Sequence, residues 1–194
     1  MQLCDGTDCP IITCVPLMGA GRQRGLEGFA QVNSQESNHH DTIYQKAWAY
    51  LQSHNTVVLA TCSQGIPWSA AVFYANRQWG LYFVSEPHTR HMQDIQANPG
   101  IAATVTEDYK DWQEIKSLQM RGRVEQVGTL EWPLAAEAYL AKFSFARQFL
   151  RPDKLWQVAG KKLNARFYRF TPEEVYFLDN ASGFSNRTQV TITF

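Results

Sequence analysis

A chain of 194 residues, 44% hydrophobic and 13% aromatic, has the length for one domain with a sizeable core and is short for two. Its 18 lysines and arginines balance 18 aspartates and glutamates, which removes any global electrostatic case for nucleic acid or an anionic membrane as partner. No apolar run approaches the ~20 residues a membrane-spanning helix needs, and the mildly apolar Pro10–Met18 has no basic segment before it, so no secretory leader is indicated and the cytoplasm is the expected location.

Residues 1–40 are rich in Gly, Ser, Gln and Asn, lack a sustained period and end in Ser-Asn-His-His. They read as a flexible N-terminal extension ahead of a domain over 41–194. Cys4, Cys9 and Cys14 lie in this extension with four residues between neighbours. A structural metal site wants paired spacing and a fourth ligand, so free thiols are expected. The fourth cysteine, Cys62, falls in a strand-like run and reads as a small buried hydrophobe.

Order is expected from Asp41, an N-cap residue, where Tyr44, Ala47, Trp48 and Leu51 recur at helical spacing to about Ser53. Thr56–Cys62 is dense in β-branched residues, a turn follows at Ser63-Gln64-Gly65, and Trp68–Ala75 returns as a second strand. A turn at Asn76-Arg77-Gln78 leads into Trp79–Val84, completing an antiparallel meander. A short helix over Thr89–Ala97 comes next, with Met92 and Ile95 on one face and Asn98-Pro99 as its stop.

Ile101–Thr106 and Ile115–Val127 resume the sheet, and Gly122 inside the second suggests a bulge or sharp bend. Trp132–Lys142 carries Pro133 in its first turn and places Leu134, Ala138 and Ala141 on one face; Phe143–Leu150 reads as a second, apolar helix. Residues 153–164 read as a loop, Ala165–Phe170 as a strand, Pro172-Glu173-Glu174 as a turn and Val175–Leu178 as another strand. A loop over Asp179–Arg187 and a last strand, Gln189–Phe194, close the chain. Such a sheet hides its edges by closure, so the expected fold is mainly β: a small antiparallel split or closed barrel with helical insertions.

The chemistry concentrates between the third strand and the helix after it. Two hydroxyls (Ser85, Thr89), a guanidinium (Arg90), an imidazole (His91) and free amides of a helix start converge there. That combination suits an anion, above all a phosphate. A capped surface helix with a solvated arginine is the alternative the residues leave open. His88 and His91 share an H-x-x-H spacing but lack a third ligand nearby, so no metal site is expected. No G-x-S-x-G stands in the sequence to mark a nucleophilic serine. Trp68, Tyr74, Trp79, Tyr82 and Phe83 read as barrel core, with a flavin or haem pocket as the other use of such a cluster.

The order of these pieces resembles the pyridoxamine 5′-phosphate oxidase-like superfamily of FMN-binding split barrels. Ala60-Thr61, Gly65-Ile66-Pro67, the strand to Tyr74 and LYFVSEPHTRHMQDIQANP follow the superfamily pattern, with His91 where lysine is usual. Phe167–Pro172, Val175–Asn180 and Gly183-Phe184 resemble a poorly characterised bacterial branch of it. The resemblance implies that Ser85, Thr89, Arg90 and His91 hold the FMN phosphate, that Ser69, Ala70, Ala71 and Val72 lie along the flavin ring, and that Arg187 matches an arginine aimed at the cofactor. It further implies a homodimer with the flavin between subunits, and a flavin-dependent oxidoreductase of unknown substrate. A non-catalytic flavin or haem carrier, or a barrel with no cofactor, is the alternative on the same fold. The oxidase proper has arginine where Ala70 stands, lysine where Ala75 stands and an Arg-x-His pattern near Phe184-Ser185-Asn186; these departures argue against pyridoxamine phosphate oxidation itself.

Overall fold

The computed structural model describes residues 42–148, 156–158 and 161–192, all of them within one unit, Ser37–Phe194. The extension over 1–40, its three cysteines and the Asp41 cap therefore lie outside the described residues.

Helix α1 spans residues 42–53 and buries Ile43, Ala47, Tyr50 and Leu51, a stripe at spacings of three to four residues. Strands β1 (Thr56–Ser63), β2 (Ile66–Arg77) and β3 (Gly80–Ser85) form the expected meander. Gln64 and Gly65, with φ of 52° and 77°, make the first tight turn, the geometry whose twist matches antiparallel strands. Helix α2 (Arg90–Ala97) leads to β4 (Gly100–Thr106) and β5 (Lys116–Gln126); α3 (Trp132–Lys142) leads to β6 (Trp156–Val158), β7 (Lys161–Leu163), β8 (Arg166–Asp179) and β9 (Arg187–Gln189).

The main sheet runs β3-β2-β1-β4-β5-β8, and an additional β3–β8 pairing closes it into a six-stranded antiparallel barrel, with β9 added to the far end of β8. Closure removes the sheet edges that would otherwise template association. Period-two alternation sends Val57, Leu59, Ile101, Ala103, Val105, Leu118, Met120 and Val124 inward, where they meet Met92 and Ile95 of α2 and the buried stripe of α1. A second cluster lies outside the barrel wall, where Ala135, Ala136 and Tyr139 of α3 pack on Ala75, Tyr82 and Phe167. Strand β3 is covered on both faces, which is why it reads as an unbroken apolar run.

Several expectations need correction. The α3 face that packs is Ala135, Ala136 and Tyr139, and Leu134 is exposed; the helix is apolar around much of its circumference, so periodicity could not select the face. Of the helix expected over Phe143–Leu150, Ser144–Gln148 is a 3-10 helix, and residues 149–150 lie outside the described residues. Part of the expected loop over 153–164 is the β6–β7 hairpin, whose three-residue strands are too short to show a period. Pro172 does not end a strand: β8 continues through it. The register shifts between Arg121 and Gly122, and Gly122 faces Pro172. A proline has no ladder hydrogen to give, and an irregularity is where its absence costs least. A Cβ on Gly122 would lie 2.2 Å from the Thr171 carbonyl oxygen, so the bend expected there demands glycine. The last strand begins at Arg187, not Gln189. Cys62 is exposed, not buried, because alternation puts it on the outer face of β1, opposite Pro67.

Candidate functional site at the turn into helix α2

Strand β3 ends at Ser85, and the Thr89 amide donates to the Glu86 carbonyl at 3.1 Å to turn the chain into α2. Glu86 anchors the turn to the start of β8 by accepting from the Asn164 amide at 3.1 Å. Thr89 stands at the N-cap in extended conformation, but its hydroxyl makes no cap. It donates instead to the Glu86 carbonyl at 2.9 Å. The amides of Arg90 and His91 consequently donate to no acceptor among the described residues. Uncommitted amides at a helix start carry partial positive charge and favour an anion.

Three side chains gather beside them. Ser85 Oγ lies 2.8 Å from His91 Nε2 and 3.2 Å from Thr89 Oγ1, and the third side of the triangle, Thr89 Oγ1 to His91 Nε2, is 3.3 Å. Burial pushes the His91 imidazole below its ordinary 6.5, and Asp94, one turn further along α2, pulls the other way. Asp94 is itself buried, 8% exposed, and accepts a hydrogen bond from the Thr61 hydroxyl at 2.9 Å. This bond pins the helix to β1 and holds a carboxylate beneath the triangle.

Ser85, Thr89 and His91 are thus brought together as the sequence predicts. Arg90 is not at the triangle: its guanidinium lies over the Trp68 ring, 4.2 Å from the centroid. His88 and His91 are split, with His88 exposed and 3.3 Å from a Glu86 carboxylate oxygen. On β2, Ser69 and Ala71 face outward, while Ala70 and Val72 stand opposite Leu59 and Val57 on the inner side of the ladder and are half-buried. Ser69, Ala60 and Ala102 are successive cross-strand partners over β2, β1 and β4, so small residues line the outer face there.

Arg187 lies elsewhere. It pairs with Leu178, twelve residues along β8 from the Arg166 that pairs with Ser85 (178 against 166), and donates to Gln119 Oε1 at 3.2 Å. Within one chain it belongs to the opposite end of β8. Sequence reasoning misses Thr61 and Asp94, while Trp68, expected in the barrel core or a cofactor pocket, is exposed beneath Arg90. Thr61 ends a recognisable Leu-Ala-Thr strand, whereas nothing local marks Asp94, whose partner is 33 residues away. The turn is not the roomiest part of the molecule: a cavity of about 630 Å³ lined by Glu107, Tyr109, Asp111 and Glu114 opens beside the loop before β5.

Comparison with known proteins places this geometry. The sequence profile of the family described as pyridoxamine 5′-phosphate oxidase matches residues 43–179, and the chain belongs to that family. Among curated proteins, UPF0306 protein YhbP of Salmonella arizonae is 26% identical over 140 residues, covering 71% of this chain and 86% of its own length. UPF0306 protein plu4501 of Photorhabdus laumondii is 26% identical over 146 residues, covering 74% and 92%. Among solved structures, Campylobacter jejuni ChuZ superposes with a TM-score of 0.62 at 16% identity, over 77% of this chain and 59% of that one. An FAD-binding protein of Mesorhizobium loti gives 0.54 at 21% identity, over 69% and 91%. HutZ, the haem storage protein of Vibrio cholerae, also gives 0.54 at 21% identity, over 66% and 89%. At these identities the structures share the fold.

Proposed function

We propose that the protein binds FMN, taking the phosphate at the turn between β3 and α2, and serves as a flavin-dependent oxidoreductase. The observation that carries this reading is the triangle of Ser85, Thr89 and His91, closed within 3.3 Å and set beside two uncommitted amides. The donor set fits a phosphate: each hydroxyl can turn its hydrogen outward, the imidazole can donate from Nε2 when that nitrogen carries the proton, and Arg90 follows Thr89 directly in the chain. Charge-assisted bonds of this kind contribute about 1.5–3 kcal/mol each. The backbone of Ser69–Val72 would lie along the flavin ring, and the flavin when bound would supply the redox chemistry. Arg187, remote within one chain, would reach a cofactor only across a dimer. The absence of a lysine at Ala75 and of an Arg-x-His pattern at Phe184-Ser185-Asn186 argues against pyridoxamine phosphate as substrate.

A second reading is a carrier on the same barrel, for flavin or haem. The haem-binding protein of Mycobacterium smegmatis and the haem storage protein HutZ among the structural neighbours favour it, as does Arg90 lying away from the triangle. Absorption and mass spectrometry of the small molecule released from the purified protein separate the two. Oxidised-flavin bands and the mass of FMN are expected; a Soret band with the mass of haem would favour the carrier. A protein that shows neither, and binds no added FMN, would overturn both.

A further inference from the structure

Arg90 and Trp68 make a contact that the phosphate reading leaves unexplained. Trp68 stands at the start of β2, opposite Thr61, whose hydroxyl lies 3.4 Å from the Trp68 carbonyl and 2.9 Å from Asp94. The same residues that fix α2 against β1 therefore fix the backbone under Trp68. The indole is 42% exposed, and the Arg90 guanidinium lies 4.2 Å from its ring centroid. The Arg90 guanidinium makes no hydrogen bond or ion pair among the described residues, so the indole face is what holds it. The guanidinium stands next to the triangle in sequence yet outside it in space.

We infer that Trp68 is a positioning residue that holds Arg90 in a resting place beside the anion site, so that binding an anion requires the guanidinium to leave the indole. This rests on the phosphate reading of the turn. The consequence runs against the usual effect of removing an aromatic residue near a site. A contact present only without ligand opposes binding, and its loss tightens binding by the whole of its contribution to the free state. For an exposed cation–π contact this amounts to about two- to fivefold in affinity.

The test is a titration of the full chain with inorganic phosphate, followed through the amide shifts of Arg90 and His91. Phosphate has no ring, so any contact between the indole and a flavin drops out. Trp68→Ala is expected to tighten phosphate binding about two- to fivefold and Trp68→Phe by less, following the order of ring strength for cation–π contacts. In an Arg90→Ala background neither substitution is expected to change it. Trp68→Phe keeps the packing and decides the direction should the alanine variant fold poorly. Unchanged or weaker binding in Trp68→Phe, with Arg90→Ala still weakening the wild type, would overturn the holding role and leave the phosphate site standing. No response to phosphate, or one indifferent to Arg90→Ala, would overturn both.

Discussion

His91 is the residue on which most of the site's behaviour turns. Burial holds its folded value below the ordinary 6.5, against the pull of Asp94, so the imidazole is neutral in the free protein at neutral pH. A phosphate dianion at the turn favours the imidazolium, so binding takes up a proton. FMN affinity is therefore expected to fall as pH rises from about 6 to 8, and His91→Lys to flatten that slope. A flat wild-type profile would contradict a role for the imidazole. The same depressed value means that His91 contributes stability above 6.5 that is lost as pH falls through its folded value. Asp94→Asn removes the opposing charge and is expected to push the His91 value lower still, read from imidazole shifts; a rise would contradict the assignment. Ser85, Thr89, Arg90 and His91 were legible because capping residues crowd one seven-residue stretch. The direction of Arg90 was not, since it is set by Trp68, which lies 22 positions earlier in the chain (90 against 68).

At the level of elements, the barrel depends on one close approach. Gly122 faces Pro172, where a Cβ would meet backbone atoms of Thr171 and Pro172 at 2.2–2.9 Å. Backbone cannot step aside as a flexible side chain can, so Gly122→Ala should force the two strands apart. We expect a loss of about 1–3 kcal/mol, lowering the melting midpoint by roughly 2–12 °C for a chain of this size; a midpoint within about a degree of wild type would contradict the close approach. Gly122 was readable as a bend because it interrupts an otherwise continuous strand. Pro172 was misread as a turn because its tolerated place, opposite that glycine, is a property of a partner strand some fifty residues distant (172 against 122). Cys62 failed for a related reason: the alternation of β1 fixes two faces, and only the packing decides which one is inside.

At the scale of the molecule, the outer side of β2 leaves Phe73 49% exposed on the same face as the small residues Ser69, Ala71, Ala60 and Ala102, while Ile66 and Trp68 are exposed on the other side of the strand, at its start. A flat strip of small and apolar residues suits a second copy of the chain, and the family resemblance implies a dimer with the cofactor between subunits. Light scattering with FMN present is expected to give twice the 22.1 kDa chain mass; a monomer mass at micromolar protein would contradict it. The antiparallel barrel was legible from the spacing of strands and turns, and closure through β3–β8 was the economical way to hide both edges. The arrangement of Arg187 relative to the turn was not, because it depends on how β8 runs. The central claim, that the turn at α2 holds a phosphate, is tested most directly by comparing FMN with riboflavin in wild type and Arg90→Ala. FMN binding should weaken by about 1.5–3 kcal/mol, tenfold or more, while riboflavin binding stays unchanged; equal losses for the two ligands would make Arg90 structural and contradict the account.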